Sequence, residues 1–309
     1  MNDATRTQPK RLEGKVAIMF GAGPNIGGTV AHYLARGGAR VVVADIDQEN
    51  AEKTAAFIRS RGYEAIGLAT DAGVEESVVG CMAETVRHFG HIDVMVNAVG
   101  KVHWSPLLDM RLDDWKEAVL SFPTAAMLTT KHTAKAMIAG GCRGSIVHIL
   151  STAAHFGEAS GTAYTAAKAA TLNFARSAAM DLAHDGIRVN TITPCGMEHN
   201  LWGKMQAELL NPRFERPHRR SYYSRDDYLK MIPLERFPRA SDLAWAAVFL
   251  ASDESGFITG VDLPVDGGLR FKYPTWRPGD FTGVNIHDYA RGLRRTEYGE
   301  DAGPAFPNT

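Results

Sequence analysis

Seven short apolar runs, separated by stretches long enough to be helices, limit this chain more than any other feature. They are "KVAIMF", "RVVVAD", "AIGLAT", "IDVMVNA", "GSIVHIL", "RVNTIT" and "GVDLPVD". Runs of this length with few polar interruptions read as buried strands. The intervening stretches 48–61, 75–89, 113–139 and 161–184 have helix length. Strands joined by helices pair in parallel, and a parallel sheet must be covered on both faces. Right-handed crossovers then wind the chain into one α/β domain, a doubly wound parallel sheet flanked by helices. With 309 residues, 45% of them hydrophobic, the chain can bury such a core.

The remaining bulk properties mostly exclude. A formal net charge of −1 gives no general attraction to nucleic acid or to anionic lipid, so neither is expected as a partner. The opening "MNDATRTQPKRLEGK" lacks the apolar core of a signal peptide, and no apolar run is long enough to cross a bilayer. A cytoplasmic location is expected. Cys81, Cys142 and Cys195 are odd in number and far apart, which suggests neither a disulfide framework nor a zinc site. His88 and His91 fall in a helix-end segment and read as packing rather than metal ligands. No metal is expected.

Chemistry begins after the first strand. "FGAGPNIGG" follows "KVAIMF" and leads into a stretch with helical spacing, the strand, glycine turn and helix of a nucleotide site. The general dinucleotide fingerprint would place its third glycine at position 26, which is Ile. Asn25, between Gly23 and Gly27, tolerates positive φ and can cap the following helix. Asp45 ends the second strand, where a carboxylate can accept hydrogen bonds from the adenine ribose hydroxyls. Its charge disfavours a 2′-phosphate, and neither Pro24 nor Ile46 supplies a compensating cation, so NAD is expected over NADP.

Tyr164 and Lys168 stand four residues apart on one helix face. A phenol ionises near pH ~10 in water, and a neighbouring cation lowers that value, as proton transfer at neutral pH requires. Ser151 follows the fifth strand, at the carboxyl edge where doubly wound sheets bind ligands. A serine there can donate a hydrogen bond to a carbonyl oxygen.

Taken in order, these features resemble the short-chain dehydrogenase/reductase family, over about residues 12–268. "FGAGPNIG" stands at the family's glycine motif, Asp45 at its NAD-type acidic position, and Asp71 in "ATDAG" beside the adenine. "VNAVG" stands at the motif after strand four, and "IRVNTITPCG" and "FLASDESGFITGVDLPVDGG" match the sixth strand and the closing segment. The resemblance implies a single Rossmann-type domain at 15–268, with a polar arm at 1–14, an enlarged substrate loop at 197–238 and an extension at 269–309. It implies Ser151, Tyr164 and Lys168 as the catalytic residues. For the cofactor NAD it implies Gly21, Asn25, Ile26, Gly27, Asp45, Ile46, Asp71, Ala72, Asn97, Ala98, Gly100, Tyr164, Lys168, Pro194, Gly196 and Met197. His103, Trp104, His155 and Phe156 would line the substrate side. The expected activity is hydride transfer between NAD(H) and a secondary alcohol or ketone, cyclic or aromatic, in a homodimer or homotetramer.

The pattern is also broken in places. Where the family has a catalytic asparagine in its fourth helix, counting from Trp115 reaches Phe122. Pro123 removes a helical hydrogen bond and disfavours helical geometry at Phe122, so a kink is expected there. Cys195 replaces a glycine, His199 stands where a threonine is usual, and "NAVG" has one asparagine instead of two. These changes leave open an alternative, a protein of this fold without redox turnover, either a cofactor-free lyase or dehalogenase or a nucleotide-binding scaffold. From 213 to 230, six Lys/Arg face three acids, and Trp202, Phe214, Tyr222 and Tyr223 could roof an apolar pocket.

Overall fold

The computed structural model describes residues 10–23, 26–197 and 225–272. All seven apolar runs form strands: β1 (Val16–Phe20), β2 (Arg40–Asp45), β3 (Ala65–Ala69), β4 (Val94–Asn97), β5 (Ser145–Ile149), β6 (Arg188–Pro194) and β7 (Asp262–Val265). Every pairing is parallel, in the order β3-β2-β1-β4-β5-β6-β7. The described helices are α1 (Ile26–Arg36), α2 (Gln48–Ser60), α3 (Glu75–Phe89), α4 (Leu112–Ala139), α5 (Thr162–Leu182), α6 (Arg225–Lys230) and α7 (Ala240–Ala251). None is long and apolar enough to cross a membrane.

Strand side chains alternate between two apolar layers, as the two-residue period of a strand requires. Ala17 and Met19 of β1 join α1, α2 and α7 on one face, while Val16, Ile18 and Phe20 join α3, α4 and α5 on the other. Helix α7 was not legible as a periodic stretch. Its sequence "ASDLAWAAVFLA" is apolar around most of its circumference, and Leu243, Ala244, Ala247, Val248 and Leu250 are all buried.

The expected helix over 113–139 is present, with Pro123 inside it. It runs unbroken from Leu112 to Ala139. A proline in a helix interior costs about 3 kcal/mol, but buried Phe122, Ala125, Ala126, Thr129 and Thr130 hold this segment against the sheet and α5.

The register aligns the carboxyl ends of the central strands. Phe20 pairs with Asn97, Asn97 with His148, and Ile149 with Ile192. Gly21, Ala98, Leu150 and Cys195 therefore follow one another along a single edge of the sheet. The chain order reverses between β1 and β4, so the loops after them part and leave a crevice, the place where such sheets bind ligands.

One glycine is fixed by close approach. A Cβ on Gly27 would lie 2.0 Å from the Gly21 carbonyl oxygen. Gly27→Ala should therefore push α1 off the sheet and lower stability by about 1–3 kcal/mol, read from urea midpoints. Gly80→Ala on the exposed face of α3, where a Cβ would meet nothing within 4 Å, should instead stabilise by about 0.5–1 kcal/mol. Equal midpoint shifts in the two variants would contradict the assignment.

Candidate active site

The glycine turn after β1 is held by the neighbouring strand. Gly21 has φ +72°, and the Gly21 and Ala22 N–H groups both donate to the Ala44 carbonyl at 2.9 and 3.2 Å. The Gly28 N–H donates to the Gly23 carbonyl at 2.9 Å, joining the turn to α1. Ile26 and Gly27 open α1, whereas Asn25 lies outside the described residues. Asp45 accepts from the Asp47 N–H at 3.1 Å and from the Gly23 and Ile46 amides. Burial pushes its carboxyl above the usual range, and those amides partly offset the shift. Ile46 is exposed, as a residue bordering a ligand face would be.

Asp71 accepts from the Gly73 N–H at 2.8 Å, and its own N–H donates to Ser77 Oγ at 2.9 Å, with Ala72 buried between them. Asn97 Oδ1 accepts from the Val99 N–H at 2.9 Å, and the Ala98 N–H donates to the Phe20 carbonyl at 3.0 Å. These two bonds shape the turn that leads to Gly100. Behind Asn97 lies His148, with Nδ1 3.4 Å from Asn97 Nδ2 and Nε2 3.0 Å from Thr130 Oγ1. Complete burial, and secondarily the charge of Lys168, push this imidazole down to about 3, so it is neutral. Sequence reasoning passed over His148, although a histidine inside the apolar run "GSIVHIL" was a visible anomaly.

Tyr164 and Lys168 both project from α5 toward the crevice. Lys168 is buried, its Nζ donates to the Ile149 carbonyl at 3.0 Å, and burial pushes it down to about 7. The ammonium lies 5.8 Å from the centre of the Tyr164 ring. Ser151 caps a short 3₁₀ turn after β5, with Oγ accepting from the Ala153 N–H at 3.2 Å. A hydroxyl that accepts there keeps its hydrogen for donation elsewhere. The three expected catalytic residues thus come from one sheet edge and the helix beside it.

The four substrate-side residues are placed unequally. The Trp104 ring stands 5.4 Å from the Tyr164 ring, and Gly161 leaves room for it, since a Cβ there would lie 2.5 Å from the indole. Phe156 is half exposed. His103 instead reaches Glu117 at 2.8 Å, beside Lys101 on the same carboxylate. His155 lies 3.0 Å from Asp262, where Arg270 also binds Asp262 at 2.6 Å and Asp266 at 3.2 Å. Thr191 and Thr193 donate to the other Asp262 oxygen at 2.7 and 2.6 Å. Burial, and then Arg270, push His155 below its ordinary value, which leaves its ring part of this network.

At the end of β6, Pro194 leads to buried Cys195, whose thiol burial pushes up to about 11, so it is unreactive there. The Gly196 N–H donates to Tyr228 Oη at 2.7 Å, and Met197 packs on the core. Tyr228, from α6, was missed because its segment reads only as mixed aromatic and basic residues.

Comparison with known proteins agrees with this geometry. A family model described as enoyl-(acyl carrier protein) reductase matches residues 21–270. The chain is 32% identical over 258 residues to 2,5-dichloro-2,5-cyclohexadiene-1,4-diol dehydrogenase of Sphingobium indicum, covering 84% of this chain and 97% of that one. It is 33% identical to sorbitol dehydrogenase of Cereibacter sphaeroides, covering 84% and 98%. The crystal structure of a short-chain type dehydrogenase/reductase from Mycobacterium marinum superposes with a TM-score of 0.72 at 28% identity, covering 84% of this chain and 97% of that one. The chain belongs to the short-chain dehydrogenase/reductase family.

Burying Lys168 has a consequence for stability. An unfolded lysine titrates near ~10.4, the folded one at about 7. Between these values the unfolded chain holds the extra proton, so this group's contribution to stability rises with pH, and its penalty is complete below about pH 7. Lys168→Met should therefore raise the urea midpoint most below neutrality, with the gain shrinking toward pH ~10. A pH-independent difference between the two proteins would contradict this.

Proposed function

We propose that the chain oxidises a secondary alcohol to a ketone with NAD, and runs the reverse reaction on the ketone. The observation that carries this reading is a dry Lys168, bonded to the Ile149 carbonyl at the end of β5 with its ammonium 5.8 Å from the Tyr164 ring centre, while Ser151 follows two residues after Ile149. The glycine turn beside them fits a nicotinamide cofactor. Gly27 leaves no room for a side chain, Gly21 has a positive φ of +72°, and Asp45 ends β2 with Oδ2 3.1 Å from where a Cβ on Gly23 would stand.

Tyr164 takes the hydroxyl proton of the alcohol in its ionised form. Ser151 donates a hydrogen bond to the same oxygen and holds it as it becomes a carbonyl. Lys168 binds the nicotinamide ribose, and its charge stabilises the Tyr164 phenolate. A bound nicotinamide would supply the acceptor for the hydride released from the carbinol carbon. The alcohol thus loses one hydride and one proton. Asp45 selects NAD, because a 2′-phosphate would bring a second anion against a half-buried carboxylate. Asn97, Ala98 and Gly100, with Pro194, Gly196 and Met197, would hold the nicotinamide end of the cofactor.

The ring of Trp104 beside Tyr164 supports a cyclic substrate, and the dichlorocyclohexadienediol dehydrogenase relative supports the same class. Leu120 and Met127 on α4 and Met180 on α5 are exposed apolar side chains, which favours assembly as a homodimer or homotetramer. A cytoplasmic location fits these properties.

The test is oxidation of 1,4-cyclohexanediol, 1-phenylethanol and sorbitol with NAD and with NADP at alkaline pH, followed by reduced-nicotinamide absorbance. NAD should support turnover, with the cyclic diol ahead of sorbitol. Tyr164→Phe should lose about 10²–10⁴-fold in kcat while still binding NADH. Binding of NADH without turnover of any alcohol would favour the non-redox scaffold instead.

A further inference from the structure

Phe122 packs against Lys168, Tyr164 and Gly100. From α4 its ring is buried, with the Lys168 ammonium 4.3 Å from its centre and the Tyr164 ring edge-on at 5.6 Å. It also fills the space over Gly100, where an added Cβ would lie 2.0 Å from Phe122 Cδ1. The titratable groups that face Lys168 are Tyr164, one turn earlier on α5, and His148 on β5, whose neutral ring contributes no charge. Helix α4 turns Phe122 toward it, with Thr130 engaged on His148. The ammonium therefore meets the Ile149 carbonyl on one side and an aromatic face on another.

An aromatic face attracts a cation through its quadrupole, most strongly where water is excluded. It also keeps water out, which by itself would drive the amine toward its neutral form. The ring therefore does two opposed things, and its electronic character decides the balance.

We propose that Phe122 is a positioning residue whose ring face holds Lys168 in its charged form and thereby sets the pH at which Tyr164 accepts a proton. The inference rests on the roles given above to Tyr164 and Lys168. Gly100 is its counterpart, since any side chain there would displace the ring.

The roles can be separated by titrating Lys168 itself. The full-length, cofactor-free protein labelled with 13C at lysine Cε is titrated by NMR, and the Lys168 signal is identified by its loss in Lys168→Arg. Phe122→Leu keeps an apolar side chain without a ring and should lower the Lys168 midpoint by about one pH unit. Replacing Phe122 by 3,4,5-trifluorophenylalanine keeps the shape, weakens the π face and should shift it the same way. Phe122→Asn offers a polar acceptor and should raise it.

With NAD and 1,4-cyclohexanediol, the acidic limb of kcat/KM should move oppositely, to higher pH in the Leu and trifluoro proteins and to lower pH in Phe122→Asn. A charged lysine favours the phenolate, so whatever keeps it charged lets Tyr164 ionise at lower pH. An unchanged Lys168 midpoint in the trifluoro protein, or shifts of the same sign for Leu and Asn, would overturn the proposal. The trifluoro comparison stands even where Phe122→Asn does not fold. The NMR titration needs neither cofactor nor alcohol, so failure of the enzymatic reading is seen separately, as absence of turnover by the parent protein.

Discussion

The parallel pairing of β1 with β4 is the constraint on which the rest of the molecule depends. After β3 the chain must return past two strands already laid down, and it pairs β4 to the far side of β1. That reversal sends the loops after β1 and β4 apart. Gly21 and Asp45 stand on one side of the resulting crevice, and Asn97 and Ser151 on the other, because the register brings the ends of β1, β2, β4 and β5 level. None of these residues needs a special fold of its own. Each ends a strand or follows one within two residues, and the apolar layers already fix those strands.

Within that frame, the half of the site concerned with protons is built around one expensive choice, a lysine side chain enclosed in the protein. Desolvation of an ammonium is costly unless something compensates. Here the compensation is a single carbonyl and an aromatic face rather than a carboxylate. A carboxylate would have stabilised the charge more strongly, but it would also have cancelled the field that the role proposed for Tyr164 requires. His148 fits the same logic, since burial keeps it neutral and it can be placed beside Lys168 without opposing it. The buried Arg270, Asp262 and Asp266 group follows the opposite rule, with full charges paired directly and donors from Thr191 and Thr193 completing them.

The fold was legible in the sequence because strands buried on both faces leave uninterrupted apolar runs, and all seven runs form strands in the parallel sheet. The ordered motifs marked one sheet edge, and Gly21, Asp45, Asn97 and Ser151 stand at or just after the carboxyl ends of its strands. What remained illegible depended on contacts distant in sequence. Nothing near His155 indicated that Asp262 and Arg270 would engage it, and nothing near Gly196 indicated Tyr228. Helix α4 was legible across Pro123, because the local preference against helix there is outweighed by the burial of its apolar face. Helix α7 escaped because a helix buried around most of its surface has no polar face to reveal its period.

Asp45 illustrates how recognition and architecture can become one quantity. Its carboxylate oxygens take N–H groups from Gly23, Ile46 and Asp47, so the charge that would face a ribose also ties the glycine turn to the end of β2. Exchanging this side chain would leave those amides in need of another acceptor. The residue at this strand end therefore answers to the backbone as well as to any ligand, and a change here alters the β2 end and the glycine turn together.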